Sequence, residues 1–289
     1  MRMARPIGAF QCVILGITLA GAGSCAAAER VAVAAAANLV YVLEPLNAEF
    51  AKTDPGVDVE SEIGASGNLV AQIGNGAPYD VFLSADMEYP KKLVQAGGAQ
   101  ASSLVTFAVG KLALWTTRPE LDLSSVESVV RNPKVAKLAI ANPSVAPYGR
   151  AAEQVLAKLG LTGVARAKLV FGENITQTAE YVSSGNADAG FVALSLILSP
   201  KLRDKGRWLE IPPALYDPIA QGGVLTNRGA ANPAARRYLA FLTSSAARKV
   251  FAQFGYGLPD GSQSTAGVPM PAGSRPLDAD GIRGRLAVE

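Results

Sequence analysis

Residues 57–83 have the sequence VDVESEIGASGNLVAQIGNGAPYDVFL, and this segment predicts the fold class of the whole chain. Val57–Ile63 alternates apolar with mostly acidic residues, which is typical of a strand with one face toward water. Gly64–Asn68 predicts a turn into a short helix whose apolar side includes Ile73, and Val81–Leu83 predicts the next strand. Strands and helices that alternate in this way are typical of an α/β protein.

The same alternation extends over most of the remaining chain. Further strands are predicted at Val31–Ala36, Leu138–Ala141, Leu169–Phe171 and Ala189–Val192. Further helices are predicted at Leu39–Phe50, Met87–Ala96, Arg150–Leu159, Ile175–Ser184 and Pro233–Phe254. Asn38 is expected to cap the first of these helices, because an Asn side chain accepts hydrogen bonds from the free N–H groups of a first helical turn.

Two apolar runs, Phe107–Trp115 and Ile219–Leu225, are strand-like and flank the second half of the body. If the chain crosses between domains at both runs, a second domain is inserted into the first. We therefore expect residues 29–113 and 217–259 to form one unit and residues 114–216 to form the other.

The two ends of the chain differ in composition from the body. Residues 1–28 combine a basic start, an apolar stretch and a run of alanines, which is typical of an export signal cleaved before Glu29. This predicts a periplasmic protein, with an uncleaved N-terminal anchor or a lipid anchor at Cys25 as alternatives. Residues 260–289 are rich in Pro, Gly and small polar residues and are expected to form a disordered tail.

The residue types that are missing exclude several kinds of chemistry. The chain contains no histidine, and its two cysteines, Cys12 and Cys25, lie within the first 28 residues. A Ser/His/Asp triad, a thiol nucleophile and a His- or Cys-ligated zinc site are therefore excluded for the body. Outside residues 1–28, which carry only Arg2 and Arg5, 25 basic and 24 acidic residues leave a net charge of +1. Such a body offers no broad basic face, so we do not expect it to bind nucleic acid.

Polar side chains stand where predicted strands pass into predicted helices. Asn38, Ser66 and Asn174 lie at three such junctions, and Tyr148 lies in a loop before a fourth helix. Helix N-termini carry unpaired N–H groups and a partial positive charge, so several that converge form an anion site without Arg or Lys. Loops at strand ends are also where ligands bind in open α/β sheets. Taken singly, each junction is more often explained by helix capping or by a tight turn than by a ligand site.

Six stretches, taken together in their order and spacing, resemble one known family. They are VAVAAAANL (Val31–Leu39), EIGASGNLVAQIGNGAPYDVFLSAD (Glu62–Asp86), ANPSVAPYGRAAEQVL (Ala141–Leu156), ENITQTAEYVSSGNADAGFVALS (Glu173–Ser195), YDPIAQGGVLT (Tyr216–Thr226) and FGYGLP (Phe254–Pro259). They are similar to the periplasmic molybdate-binding proteins that supply ABC importers. The resemblance implies a type II-like periplasmic binding protein, in which two α/β lobes are joined by a two-strand hinge and the anion lies in the cleft.

The resemblance also implies what the protein binds and what it does not do. Its ligand would be molybdate or tungstate, and the metal would be held only as the intact oxyanion, with no direct protein–metal bond. Its partner would be the membrane permease of an ABC transporter. No cofactor and no enzymatic activity are implied, and the protein would be a monomer.

Carried over residue by residue, the resemblance implies a ligand-binding set from both lobes. The set is Asn38, Ser66, Tyr148, Ile175 through its backbone N–H, and Ala37. Ala37 stands where some relatives carry a hydroxyl. A tyrosine that other relatives carry near Ala193 is missing, and Tyr148 is expected to stand in for it.

Two alternatives stay open from the sequence. Within the binding proteins, the ligand is another small anion such as sulfate, a phosphonate or an organic acid. A basic side chain facing the cleft would favour a carboxylate ligand, and Arg150 is the nearest candidate. From another class, Asp80 and Asp86 form a carboxylate pair for a hydrolase, although they bracket one predicted strand rather than face each other.

Overall fold

The computed structural model of the protein describes residues 29–259 together with residues 275 and 276. In these residues the chain forms two mixed β-sheets with helices packed against them. We call the five-stranded sheet and its helices the first lobe, and the six-stranded sheet and its helices the second lobe. The predicted α/β fold with two lobes is confirmed.

The first sheet combines parallel and antiparallel pairing. Its strands are β1 (Glu29–Ala36), β2 (Val57–Gly64), β3 (Val81–Ser84), β4 (Val105–Gly110) and β10 (Ile219–Leu225), in the spatial order β2–β1–β3–β10–β4. β1 is parallel to β2 and β3, whereas β10 is antiparallel to β3 and β4. Because Ala36 pairs with Gly64, β1 and β2 end side by side at the same edge of the sheet.

The second sheet repeats this arrangement. Its strands are β5 (Leu112–Thr116), β6 (Leu138–Ala141), β7 (Leu169–Gly172), β8 (Ala189–Ala193), β9 (Arg207–Glu210) and β11 (Arg275–Pro276), in the spatial order β11–β9–β5–β8–β6–β7. β6 is parallel to β7, and Ala141 pairs with Gly172, so these two strands also end side by side.

Eleven α-helices lie in the described residues. They are α1 (Leu43–Phe50), α2 (Ser66–Gly74), α3 (Glu88–Gln95), α4 (Val126–Val130), α5 (Pro147–Lys158), α6 (Thr162–Arg166), α7 (Ile175–Ser183), α8 (Leu194–Ile197), α9 (Asn227–Ala230), α10 (Pro233–Phe241) and α11 (Ser245–Gln253). Short 3-10 helices lie at Ala37–Leu39, Ala101–Ser103 and Pro213–Leu215. None of the helices in the described part of the chain combines the length and the apolar character that a membrane span requires.

The chain crosses between the lobes twice. The first crossing consists of Lys111 alone, between the end of β4 and the start of β5. The second runs from the end of β9 to the start of β10. The apolar run Phe107–Trp115, which the sequence presents as one strand, is therefore two strands in different sheets. The expected unit boundary after residue 113 falls inside β5, two residues beyond the change of sheet, and the exact lobe boundaries stay a prediction.

Small residues fill the region where the lobes meet. The hydrophobic core of the second lobe continues without a break to Ala36, Ala37 and Ala85 of the first lobe. A separate core in the first lobe includes the stacked rings of Phe107 and Phe251, whose centroids are 5.3 Å apart. Alanines at the junction let the two backbones approach closely, which a larger side chain would prevent.

Asn38 does not cap the helix that follows it, so that prediction is wrong. Residues Ala37–Leu39 form a 3-10 helix, and α1 begins only at Leu43. The side-chain amide of Asn38 instead donates to Gln221 and Tyr256 at 2.8 Å each. The Asn38 side chain is therefore held by two residues that are distant in the chain, and it does not cap the helix that follows.

Two other predicted helices have different limits in the structure. The helix predicted from Arg150 begins at Pro147, because proline has no N–H and is well placed in a first helical turn. The single helix predicted over Pro233–Phe254 is two helices, α10 and α11. Residues 242–244 separate them, and the Ser244 hydroxyl accepts a hydrogen bond from the Ala247 N–H at the start of α11.

The expectations for the two ends of the chain fall largely on residues outside the description. The export signal at residues 1–28 lies wholly outside it. The tail predicted at residues 260–289 also lies outside it, apart from β11, which pairs in parallel with β9.

Asp80 is a buried carboxylate that ties three segments of the first lobe together. It is 2% exposed and precedes β3 directly. It accepts hydrogen bonds from the Ala32 N–H at 2.9 Å, the Arg228 guanidinium at 3.0 Å and the Asn232 amide at 3.3 Å. A buried charge of this kind is stable only while its partners are in place.

The substitution Asp80→Asn is expected to lower the free energy of unfolding by about 2–3 kcal/mol, because an amide nitrogen then faces groups that donate. Denaturant unfolding followed by circular dichroism measures the loss. Asp58→Asn, on the exposed face of β2, is the matched control and should change the free energy by less than about 0.5 kcal/mol. Equal stability of the two variants would contradict the assigned role of Asp80.

Candidate functional site

A small cavity lies where the two lobes meet at the ends of their parallel strands. Its walls come from both lobes and are made of Ala36, Ala37, Asn38, Gly64, Ala65, Ser66, Ala85, Ala146, Pro147, Tyr148, Asn174 and Ile175. The enclosed volume of about 10 Å³ is close to what one water molecule requires. A tetrahedral anion is larger than this volume, so the walls would have to move apart slightly to admit it.

The cavity brings together all five residues that the resemblance singles out. Ala37, Asn38 and Ser66 line it from the first lobe, and Tyr148 and Ile175 line it from the second. These residues are spread over about half of the chain, and only the pairing of strands within each sheet brings them to one place. Their roles toward a ligand remain a proposal.

Four helices begin at the cavity wall. The 3-10 helix starts at Ala37, α2 at Ser66, α5 at Pro147 and α7 at Ile175. The first N–H groups of a helix have no partner within the helix, and they carry the positive end of its dipole. The cavity is thus surrounded by backbone donors, which favour a negatively charged ligand.

Ser66 places a hydroxyl in the wall with a fixed orientation. Its Oγ accepts a hydrogen bond from the Ala85 N–H at 3.0 Å. Because a hydroxyl has one hydrogen to donate in addition to its acceptor sites, the Ser66 hydrogen stays available for a ligand. Ser66 is also the first residue of α2, so its N–H and hydroxyl lie close together.

Asn38 lines the cavity, but its side-chain amide is already occupied within the protein. Both of its amide donor contacts go to Gln221 and Tyr256. Gln221 is itself held by the carbonyls of Ala85 and Ile219, at 3.1 and 3.0 Å, so its oxygen must face Asn38. The donor left at this position is the backbone N–H of Asn38, while the Oδ1 atom is buried without a partner in the described residues.

Tyr148 is fully buried, and its hydroxyl has no hydrogen-bond partner among the described residues. The hydroxyl lies close to Gly110, the last residue of β4 before the first crossing. A Cβ atom placed on Gly110 would be only 2.2 Å from it. Burial raises the pKa of the Tyr148 hydroxyl well above its ordinary value, and nearby Tyr256 and Tyr216 add to this effect. The hydroxyl is therefore a neutral donor at physiological pH.

A side-chain cap holds the start of α7 and leaves one backbone N–H of the first turn unused. Asn174 accepts hydrogen bonds from the N–H groups of Thr176 and Gln177, at 2.9 and 3.0 Å. The N–H of Ile175, the first residue of the helix, is not used by this cap. The Thr176 hydroxyl donates to the Ala37 carbonyl at 2.9 Å, so α7 is also tied directly to the first lobe.

No lining residue of the cavity among the described residues carries a formal charge. Arg150, the nearest basic candidate, pairs with Asp86 outside the wall instead of facing the cavity. The described residues also contain no group of three or more Asp, Glu, His or Cys side chains able to hold a metal ion.

The structure does not bring the two carboxylates considered for a hydrolase into one site. Asp80 and Asp86 lie at opposite ends of β3, as the sequence indicates, and neither lines the cavity. Asp80 is paired with Arg228 and Asp86 with Arg150, so each carboxylate has its own counter-ion.

Sequence reasoning missed the residues that support Asn38. Gln221 is 0% exposed and Tyr256 is 2% exposed, and both contact Asn38 from more than 180 positions away in the chain. The signal for Gln221 was a polar residue in the otherwise apolar strand Ile219–Leu225, because a buried amide requires partners. For Tyr256 we find no comparable signal.

Comparisons with known proteins agree with the two-lobed α/β fold. A family model described as a bacterial extracellular solute-binding protein matches residues 31–257. A molybdate-binding protein of Azotobacter vinelandii is 43% identical over 240 residues, which are 83% of this chain and 94% of that protein. A molybdate-binding protein of Rhodobacter capsulatus is 40% identical over 231 residues, covering 80% of this chain and 89% of that protein.

A solved structure shows the same fold. The periplasmic molybdate-binding protein of Azotobacter vinelandii aligns with a TM-score of 0.74 at 37% sequence identity. The alignment covers 79% of this chain and 99% of that one.

The substitution Tyr148→Phe is expected to leave the thermal stability of the ligand-free protein unchanged or slightly raised, because it removes a buried hydroxyl that has no partner. Tyr238→Phe is the matched control: its buried hydroxyl donates to Asn47 at 2.7 Å, and its loss should cost about 1 kcal/mol. Calorimetric unfolding of both variants measures the difference. A clear loss of stability in Tyr148→Phe would mean that the hydroxyl is paired within the protein.

Proposed function

The chain belongs to the bacterial extracellular solute-binding proteins, and within them to the molybdate-binding group, and we propose that it binds molybdate between its lobes. In this proposal the loaded, closed protein delivers the anion to the membrane permease of an ABC importer. The observation that carries the proposal is the cavity itself, where both lobes contribute backbone and hydroxyl donors and no charged side chain.

Neutral donors are sufficient to hold a dianion when they are fixed before it arrives. The backbone N–H groups at the starts of the 3-10 helix, α2, α5 and α7 supply part of the set. The hydroxyls of Ser66 and Tyr148 supply the rest. Each hydrogen bond to a charged acceptor contributes roughly 1.5–3 kcal/mol. About seven such bonds, after the costs of desolvation and closure, support sub-micromolar binding.

Closure of the lobes follows from the same donor set. Ser66 lies in the first lobe, and Tyr148 and Ile175 lie in the second, so a ligand that contacts all three stabilises the closed arrangement. A ligand shifts a conformational equilibrium only by its difference in affinity for the two states, and here only the closed state offers every donor. The permease would then recognise the closed shape.

The donor set also predicts which anions are preferred. Molybdate and tungstate are fully deprotonated at neutral pH and present only acceptors, so both should bind. Hydrogen phosphate carries an O–H that needs an acceptor, whereas the polar groups at the wall are mainly N–H and hydroxyl donors, so it should bind weakly. Sulfate presents acceptors only, and its smaller size should leave some donors without contact.

Several further properties belong to this proposal. The protein acts without a cofactor and without catalysis, since its task is to bind and release an unchanged anion. It works as a monomer in the periplasm after export. Residues 1–28 would serve as the export signal, removed before Glu29.

Isothermal titration with molybdate, tungstate, sulfate and phosphate tests the proposal. We expect stoichiometric binding of the first two anions at sub-micromolar affinity and at least about 100-fold weaker binding of phosphate, which corresponds to about 2.7 kcal/mol. No heat with molybdate or tungstate would reject the proposed function. Tighter binding of sulfate than of molybdate would reassign the ligand while keeping the binding class.

Single-atom variants test where the anion lies. Ser66→Ala should weaken molybdate binding by about 10- to 100-fold, because one donor to a charged acceptor is lost. Ser199→Ala is the matched control, since Ser199 is also fully buried but its hydroxyl donates to the Leu196 carbonyl away from the cavity. Tyr148→Phe should weaken binding by about tenfold. Unchanged affinity in both Ser66→Ala and Tyr148→Phe would move the site elsewhere.

Molybdate affinity is expected to be flat between about pH 6 and pH 9. The pKa of Tyr148 is raised, so its hydroxyl keeps its proton below that raised pKa and loses it only at higher pH. No other lining residue has a titratable side chain. Titrations across this range in one buffer system measure the dependence, and a tenfold loss of affinity toward pH 9 would show an ionising group in the wall.

A further inference from the structure

Arg150 forms a bridge between the lobes just outside the cavity. Its side chain extends from α5 in the second lobe to Asp86, which lies between β3 and α3, and to the first turn of α3 in the first lobe. Its guanidinium is paired with the Asp86 carboxylate and lies 3.4 Å from that of Glu88. It also donates to the Tyr89 hydroxyl at 3.2 Å and lies over the Tyr89 ring, 5.3 Å from the centroid. We call Arg150 with these three residues the interlobe latch.

The first-lobe side of the latch is held by hydrogen bonds within its own lobe. The Asp86 carboxylate accepts hydrogen bonds from the Tyr89 N–H at 3.1 Å and from the Ser84 hydroxyl at 3.2 Å. Its side chain is only 14% exposed, so solvent screens the pair less than it would a surface pair. An ion pair with one rigid partner loses less entropy when it forms.

Two more hydrogen bonds join the lobes beside the latch. The Gly67 N–H donates to the Val145 carbonyl at 2.9 Å. The Tyr89 hydroxyl donates to the Ser144 carbonyl at 3.2 Å. All of these contacts form only while the lobes are together, so all of them favour the closed state.

The latch uses the same two segments that line the cavity. Ala85 lines the cavity, holds the Ser66 hydroxyl through its N–H, and is followed directly by Asp86. Tyr148 lines the cavity from the first turn of α5, and Arg150 follows two residues later in the same helix. Pairing of Arg150 with Asp86 therefore places the N-terminus of α5 against the Ser66 side of the cavity.

We propose that Arg150 is a positioning residue that holds the lobes closed and slows release of the bound anion without touching it. The proposal rests on the proposed function for its ligand and adds a specific determinant of residence time. A positive charge near an anion site also has a simpler explanation, which is direct attraction. The two explanations predict opposite results when the negative partner is changed.

Removal of the Asp86 charge distinguishes the latch from direct electrostatic attraction. Direct electrostatics predicts that Asp86→Asn tightens molybdate binding, because a negative charge next to the anion is lost. The latch predicts weaker binding, because Arg150 loses its principal partner, while the amide oxygen of the new side chain can still accept from Tyr89. We expect Asp86→Asn to raise the dissociation rate about threefold and Arg150→Gln to raise it about five- to tenfold.

Stopped-flow release and isothermal titration with molybdate, applied to the wild type, both single variants and the double variant, measure these effects. The double variant should release molybdate no faster than Arg150→Gln, because both changes break one interaction. Arg150→Lys should restore part of the residence time. Arg118→Gln, which breaks the ion pair with Asp188 inside the second lobe, is the matched control and should not change release.

The outcomes for the latch and for the proposed function are distinct. Additive effects of the two single variants, an unchanged release rate in Arg150→Gln, or tighter binding in Asp86→Asn would each overturn the latch. Absence of molybdate binding in the wild type would overturn the proposed function. In that case small-angle X-ray scattering of the ligand-free proteins decides the latch alone, where a larger radius of gyration for Arg150→Gln supports it and equal radii overturn it.

Discussion

Parallel pairing of neighbouring strands, β1 with β2 and β6 with β7, determines the position of every donor in the cavity wall. Because the paired strands end at the same level, the helices that follow them begin side by side. Two such pairs face each other across the junction of the lobes. The backbone itself then supplies the positive ends of dipoles, and the site needs no Arg or Lys to attract an anion. This also explains how a chain with nearly balanced charge can present an anion site.

Much of this arrangement was accessible from the sequence. The local pattern of strand, turn and helix around Ser66 predicts the fold class, and the resemblance adds five of the residues that line the cavity. The predicted limits of helices and strands were wrong where local rules were ambiguous. One example is Pro147, a proline in an apparent loop that starts a helix. They were also wrong where one apolar run contains two strands of different sheets, on either side of Lys111. Periodicity does not reveal which sheet a strand joins.

The environment of Asn38 was beyond sequence reasoning for a different reason. An Asn before an apolar helical pattern favours a cap, and the local rule had no access to Gln221 or Tyr256. Partners so distant in the chain become neighbours only after the sheet has formed. The same limit applies to Arg150, whose charge suggests a ligand contact until Asp86 is seen beside it. In both cases the tertiary partner, rather than the residue type, decides what the side chain does.

The position of β10 in the first sheet has a consequence for the order in which the lobes form. β4 is joined to the rest of that sheet only through β10, which lies between β3 and β4. Strands β5 to β9 of the second sheet all lie within residues 112–210, before β10 in the chain. As the chain is synthesised or exported, the second lobe is therefore nearly complete while β3 still has one unpaired edge. The first lobe begins the chain and yet receives β10 only after strands β5 to β9 of the second lobe, so the edge of β3 stays open to non-native pairing until then.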